Sequence, residues 1–263
     1  MSYSEITYER RGRGAWIRLS RPEALNTLTP RLVGEFDAAL DQAIQDSDVI
    51  AVVVTGTGRA FCAGADLKFL GDMPAAQRAE STAAFLESVL RLMVRLEKLS
   101  KPVICAVNGI ATGGGMELLL CCDLVIATQS ARLGDGHANF GLLPGGGASV
   151  RLPRKIGPTR AKYLLFTGDL IPAIEFVAAG LVNEVTPEGE LDNAVERLIS
   201  KLSTKSPIGL RRMKDLVDDG LEQTRDTALR LELLAGELHA YSFDMQEGIA
   251  AFNEKRKPQF KGR

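Results

Sequence analysis

The sequence predicts an α/β fold built around parallel strands, with a final third made mostly of helices. Three observations carry that prediction. The runs "VIAVVVTG" (49–56), "PVICAVNG" (102–109) and "DLVIAT" (123–128) are short, apolar and rich in β-branched residues, as strands covered on both faces are. Stretches of helical spacing separate them, which makes the connections right-handed crossovers between parallel strands. After Pro144 the pattern changes to one helical segment after another.

Each element has a local reason. In "EITYERRGRGAWIRLS" (5–20), apolar and polar residues roughly alternate about Gly12 and Gly14, so it reads as two short strands around a glycine turn. "TPRLVGEFDAALDQAIQDS" (29–47) sets Leu32, Phe36, Leu40 and Ile44 on one helical face, with Thr29 as the cap and Pro30 opening the first turn. A long helical stretch from about Ala75 to Leu99 leads to the strand at 102–109, and "GGGMELLLCC" (113–122) is a short helix before the strand at 123–128. Helical spacing then recurs in the segments 158–168, 171–182, 190–203, 207–220 and 224–242. No low-complexity linker or strong internal repeat interrupts the chain; a soft boundary near residue 200 divides a core (1–200) from a helical region (201–263).

Composition narrows the class. With 263 residues, 45% hydrophobic and 25% charged, the chain is an ordinary globular one. A net charge of −1 provides no field for nucleic acid or anionic lipid. Cys62, Cys105, Cys121 and Cys122 sit among apolar neighbours without a C-x-x-C pair, so they read as buried free thiols of a reducing compartment. Two histidines and no H-E-x-x-H argue against a zinc site. No run approaches the ~18–20 apolar residues that span a bilayer, and the N-terminus alternates instead of forming a signal segment. A cytoplasmic location is expected.

Two glycine loops are the first candidates for chemistry: "TGTGRAFCAGADLKFL" (55–70) and "NGIATGGGMELLL" (108–120). Each follows a buried strand and opens a helix, where ligands of open α/β sheets gather and backbone N–H groups are free. Neither is a G-x-x-x-x-G-K-[ST] loop or a G-x-G-x-x-G turn, and no G-x-S-x-G elbow occurs, so nucleotide-phosphate and serine-hydrolase readings have no motif. Each loop alone is equally well a tight turn. Together they can each aim one N–H at a shared oxyanion, a device in which one donor is worth about 3 kcal/mol.

A family resemblance covers nearly the whole chain. "RPEALNTL" (21–28), "GRAFCAGADL" (58–67), "KPVICAVNGIATGGGMELLLCCDLVIA" (101–127), "GLLPGGGASVRLPRKIG" (141–157), "TGDLIPAIEFVAAGLVNEV" (167–185) and "FNEKRKPQF" (252–260) together resemble the crotonase superfamily, the enoyl-CoA hydratase/isomerase family. The resemblance implies a spiral core of ββα units with a helical C-terminal region, assembly as a homotrimer or dimer of trimers, and acyl-CoA thioester substrates. Coenzyme A would enter as part of the substrate, with no separate cofactor and no metal. By motif position, the N–H groups of Ala65 and Gly114 would hold the thioester oxygen as it becomes an enolate. Arg21, Ala24, Leu25, Ala63, Asp66 and Leu67 would line the coenzyme, and Lys255 and Lys257 of the basic end would meet its phosphates, if that end is not simply a solvated tail. Phe69, Leu70 and Met73 would shape the far end of the acyl pocket.

The same pattern supplies an acid–base pair with one departure. Glu117 stands where family hydratases carry one catalytic glutamate; a first-turn glutamate facing the helix dipole is the plainer reading. The second glutamate belongs four residues before Gly141, and that residue is His137. Imidazole titrates near neutral pH, so a glutamate–histidine pair remains able to do acid–base work. Asp135 would supply a second carboxylate or orient His137. The alternative for His137 is a loop side chain bonded to backbone, and His239 reads as structural. Hydration of an enoyl-CoA is therefore the leading expectation. The alternatives are C–C bond hydrolysis of a β-oxo substrate, double-bond isomerisation by Glu117 alone, and acyl-CoA binding without catalysis.

Overall fold

The computed structural model describes Tyr3–Asp72 and Pro74–Arg263. β1 (Ile6–Arg11) and β2 (Gly14–Leu19) form the expected antiparallel hairpin. α1 (Pro30–Gln45) starts where Thr29 Oγ1 accepts the Leu32 N–H at 3.0 Å. Its Leu32, Phe36 and Leu40 are buried, but Ile44 is 39% exposed and Ala43 takes the inner place. At 3.6 residues per turn, a face stepped strictly by four drifts off the core, and the shorter step to Ala43 corrects it.

Three units then repeat one plan of long strand, short strand and helix. β3 (Ala51–Gly56) and β4 (Ala60–Cys62) precede α2 (Leu67–Gly71) and α3 (Ala75–Glu97). β5 (Val103–Val107) and β6 (Ile110–Ala111) precede α4 (Gly114–Leu120). β7 (Leu124–Thr128) and β8 (Arg132–Leu133) precede α5 (Ala148–Ile156) and α6 (Pro158–Thr167). The chain continues through β9 (Ile171–Pro172), β10 (Glu184–Thr186), α7 (Leu191–Leu202), α8 (Pro207–Gly220), α9 (Arg225–Ala240) and α10 (Phe243–Asn253).

The long strands build one sheet of order β1-β2-β3-β5-β7-β10, parallel from β2 onward. The short strands build a second, β4-β6-β8-β9. The apolar runs of the large sheet divide by alternation. Val52, Val54, Val103, Cys105 and Val107 enter the main core with α1 and α3. Val53, Ile104, Ala106 and Ile126 pack outward against Leu191, Ala194, Val195 and Ile199 of α7. Both faces are covered, which is why these strands read as continuous hydrophobic runs.

Residues 171–182, expected to be helical, are not a helix. Ile171–Pro172 pair antiparallel with β8, and Ala173–Phe176 form one 3₁₀ turn. Pro172 has no N–H for a helix to use and sits on the edge of the small sheet, where none is needed. All four cysteines are free and buried, and burial pushes the Cys62 thiol up to about 12. Among the described residues, no helix is long and apolar enough to cross a membrane.

Candidate active site

The small sheet places the site. Its parallel strands β4, β6 and β8 end side by side, and the loops leaving them carry Ala65, Gly114 and the Asp135–His137 turn. In sequence the first two loops appear to follow the long strands directly; a short strand intervenes in each case. A cavity of about 310 Å³ opens over these loop ends, lined by Ala63, Gly64, Ala65, Gly113, Gly114, Asp135 and His137 on one side. The rest of its wall is mainly apolar, with Leu67, Leu70, Leu86, Phe140, Leu142 and Leu170.

Ala65 and Gly114 come together as the two loops converge. Leu28 bridges the first loop by donating to Gly64 O at 2.8 Å and accepting the Asp66 N–H at 3.0 Å. That pairing occupies one edge of the loop and turns the Ala65 N–H to the other edge. A Cβ built on Gly64 would lie 3.2 Å from the Gly114 nitrogen, so the backbones nearly touch. Among the described residues, neither the Ala65 nor the Gly114 N–H has a hydrogen-bond acceptor. Two uncommitted donors side by side in a cavity wall are suited to one negative oxygen.

Glu117, on α4, is 3% exposed. Its Oε1 accepts the N–H groups of Gly146 (2.7 Å) and Ala148 (3.1 Å), leaving Oε2 without a partner among the described residues. Burial raises its pKa above the ordinary 4.5, against the lowering effects of the Ala148 N–H and the His137 charge. The donor loop is itself braced: Arg151 donates to Gly146 O at 2.7 Å and grips Glu97 with two bonds of 2.9 and 2.8 Å. Gly146 has to be glycine, because a Cβ there would collide with Met93 Sδ and fall 2.8 Å from Glu117 Oε2.

His137 opens a 3₁₀ turn, His137–Phe140, across the cavity. Its Nδ1 lies 2.8 Å from Asp135 Oδ1, and its backbone N–H donates to the same oxygen at 3.2 Å. Burial disfavours the imidazolium, but the Asp135 hydrogen bond and the charges of Asp135 and Glu117 outweigh it, and the pKa lies above 6.5. Glu117 is not itself among the lining residues; it lies behind the wall, on the helix that Gly114 opens, close enough for its charge to act on His137. A histidine–aspartate pair and two free N–H groups in one cavity, with a buried carboxyl behind them, define an enzyme that moves protons next to a stabilised oxyanion.

Comparison with known proteins narrows this class. A family model described as enoyl-CoA hydratase/isomerase matches residues 11–263. The crotonyl-CoA hydratase of Syntrophomonas wolfei is 37% identical over 261 residues, 99% of each chain. The 2,3-dehydroadipyl-CoA hydratase of Escherichia coli is 35% identical over 260 residues, 99% of this chain and 100% of its own. The crystal structure of an enoyl-CoA hydratase from Bacillus anthracis superposes with a TM-score of 0.93 at 37% identity, covering 99% of this chain and 100% of that one. The chain belongs to the enoyl-CoA hydratase/isomerase family.

The other candidate residues are dispersed. Ala63 and Leu67 line the cavity. Arg21 and Asp66 are committed to each other at 2.9 Å, and Asp66 also caps α2 through the Phe69 N–H. Ala24 and Leu25 form the turn beneath them, where Leu25 O accepts the Ala63 N–H at 3.0 Å. Lys255 and Lys257 are exposed on the C-terminal segment and are not among the lining residues. Leu70 lines the cavity, but Phe69 packs edge-on against Phe85, with ring centroids 6.1 Å apart; Met73 lies outside the described residues. His239 is held by Arg212 at 2.8 Å, away from the site. The residues that sequence reasoning missed are those serving Glu117: Gly146, Ala148, Arg151 and Glu97. The glycine run at 145–147 was their only signal.

Proposed function

We propose that this protein hydrates a 2-enoyl-CoA thioester. The observation that carries the reading is the pair of uncommitted N–H groups of Ala65 and Gly114, with the buried Glu117 carboxyl on the helix that Gly114 opens. The thioester oxygen sits between the two N–H groups and becomes the enolate oxygen. Glu117 and His137 share one proton in the active form. Neutral His137 takes a proton from water as its oxygen adds to Cβ; Glu117 in its protonated form, which burial favours, delivers its proton to Cα. Transfer of the imidazolium proton back to Glu117 restores the site, and the sum is addition of one water.

The wall of Leu67, Leu70, Leu86 and Leu142 favours an apolar acyl chain, since a terminal carboxylate there would lose its hydration without a partner. Ala63 and Leu67 touch the pantetheine arm, Arg21, Asp66, Ala24 and Leu25 shape the coenzyme-side loop, and Lys257 reaches the phosphates of a neighbouring protomer's ligand. A homotrimer or dimer of trimers gives α8–α10 a partner, because Met213, Val217, Leu229, Leu233, Leu238 and Phe252 are exposed on them. Buried free thiols favour the cytoplasm.

A second reading is favoured by the histidine–aspartate pair. His137 would activate water for attack on the ketone of a 3-oxoacyl-CoA; cleavage of the C–C bond would release a carboxylic acid and leave the acetyl-CoA enolate in the same N–H pair. The test is turnover of crotonyl-CoA, read as loss of enoyl absorbance, beside acetoacetyl-CoA cleavage, in wild type and Glu117→Gln. Hydration abolished by the substitution supports the first reading. Cleavage without hydration supports the second, and coenzyme binding without either turnover defeats both.

A further inference from the structure

We infer that Asp135 is a positioning residue that fixes His137 in one tautomer, with Nδ1 protonated and Nε2 the lone-pair acceptor, and locks that ring to the loop presenting the Gly114 N–H. The inference rests on the proposed hydration for its kinetic consequences, but its structural content stands apart.

Asp135 is fully buried, and its Oδ1 faces two donors at once, the His137 backbone N–H and Nδ1. An ionised carboxylate offers only acceptors, so the ring nitrogen it meets must carry the hydrogen. A neutral imidazole then has its lone pair at Nε2. The main chain of the same residue does a second task. Asp135 O accepts the Gly113 N–H and the Thr112 hydroxyl, the latter at 3.2 Å, and both donors lie in the loop that ends at Gly114. One residue therefore ties the base to the oxyanion donors by its side chain and its carbonyl together.

The turn enforces this arrangement. Gly136 has φ +73°, and a Cβ there would run into the Thr112 hydroxyl, so no other residue fits between Asp135 and His137 without moving one of the two anchors. Asp135 Oδ2 is buried and, among the described residues, has no hydrogen-bond partner. A carboxylate left half-satisfied in a buried site is not what stability alone selects. It is retained where its charge does something, and the groups that face this charge are His137 and, from α4, Glu117. The charge favours the imidazolium that forms when His137 takes the water proton.

The chain has two histidines, so the test is direct. With ¹⁵N-labelled histidine, the ring nitrogens of His137 and His239 are read by two-bond ¹H–¹⁵N correlation at alkaline pH, with His137→Gln for assignment. The expected wild-type result is a His137 ring protonated at Nδ1; a ring protonated at Nε2 overturns the inference whether or not the protein hydrates crotonyl-CoA. Asp135→Asn is expected to shift the ring toward Nε2 protonation and lower kcat by about 100-fold or more with KM little changed. It should also move the basic limb of the pH profile to lower pH, as the imidazolium loses its partner. An Asp135→Asn protein with wild-type tautomer and profile would show that Asp135 is only part of the loop's scaffold. If that variant does not fold, the wild-type spectrum alone decides. An inactive wild type with the expected tautomer would instead count against the hydration reading and leave this inference standing.

Discussion

The two proton carriers of the site are held by opposite means. On the α4 side, Glu117 is an acceptor gripped by donors, the N–H groups of Gly146 and Ala148. On the opposite side, His137 is a donor gripped by an acceptor, Asp135. In the first, burial outweighs the donors and keeps the carboxyl protonated to higher pH. In the second, the acceptor outweighs burial and favours the charged ring. The difference teaches what a histidine needs in order to stay charged in a largely buried site: an anion behind it, and residue 135 supplies one.

The largest effect expected comes from removing the acid. Glu117→Gln should lower kcat by about 1,000-fold, since general acid–base contributions run to roughly 10²–10⁴. The same substitution should raise stability. The folded pKa is raised, so the stability this group contributes is present below 4.5 and lost as pH rises through the folded value. At neutral pH the native state bears that loss and glutamine does not. A gain of about 1 kcal/mol corresponds to roughly 2–4 °C in Tm for a chain of this size. Calorimetry showing a lower Tm would mean the ionised carboxylate is structurally favourable after all.

Next comes the frame around the acid. Gly146→Ala forces a methyl group against Met93 and Glu117 Oε2. Displacement of the donor loop should reduce kcat by about 100-fold, as misplacement of this kind does, and destabilise by about 1–3 kcal/mol. Denaturant melts and initial rates measure both. An active, stable variant would show that the loop has slack and that Glu117 is held less rigidly than its two bonds imply.

The histidine wall should reveal itself through pH. With one proton shared by the pair, kcat/KM is bell-shaped, with an acid limb above 4.5 and a basic limb above 6.5, because both folded pKa values are raised. His137→Gln should remove the acid limb and leave residual activity that only falls with rising pH, because protonated Glu117 is then the single requirement. The Asp135–His137 pair contributes stability that is complete below 6.5 and lost as pH rises through the folded value. The wild-type advantage over His137→Gln, about 1 kcal/mol, should therefore narrow at alkaline pH. A constant difference across pH would mean the ring is neutral throughout.

The smallest effect concerns the acyl chain, which touches neither proton carrier. Each methylene added to crotonyl-CoA and buried along Leu70 and Leu86 should raise kcat/KM about fourfold, the equivalent of ~0.8 kcal/mol. Replacing the terminal methyl by a carboxylate should reverse the gain. A better rate with the dicarboxylate would place a cation at the far end of the pocket, supplied by another protomer.

Much of this molecule was legible as sequence, for reasons that can be named. The runs at 49–56, 102–109 and 123–128 announced buried strands because both faces had to be apolar, and Thr29 announced α1 because a cap is a local hydrogen bond. The small sheet was not legible. β6, β8 and β9 have two residues each, too few for any periodicity, and only their neighbours make them strands. Ile44 and residues 171–182 misled for the same reason: spacing describes a helix, but the core and a neighbouring strand decide which residue turns inward.

The site divides along the same line. Sequence alone determined its chemical inventory, since the two glycine loops, Glu117, His137 and Asp135 are matters of residue type and order. Tertiary structure alone decided what each can do. It brought Gly146 to Glu117 across 29 positions, committed Arg21 to Asp66 across 45, and buried Asp135 behind the imidazole. A hydrogen bond or a pKa shift depends on distance and exclusion of water, and neither is a property of a residue until the chain has folded around it.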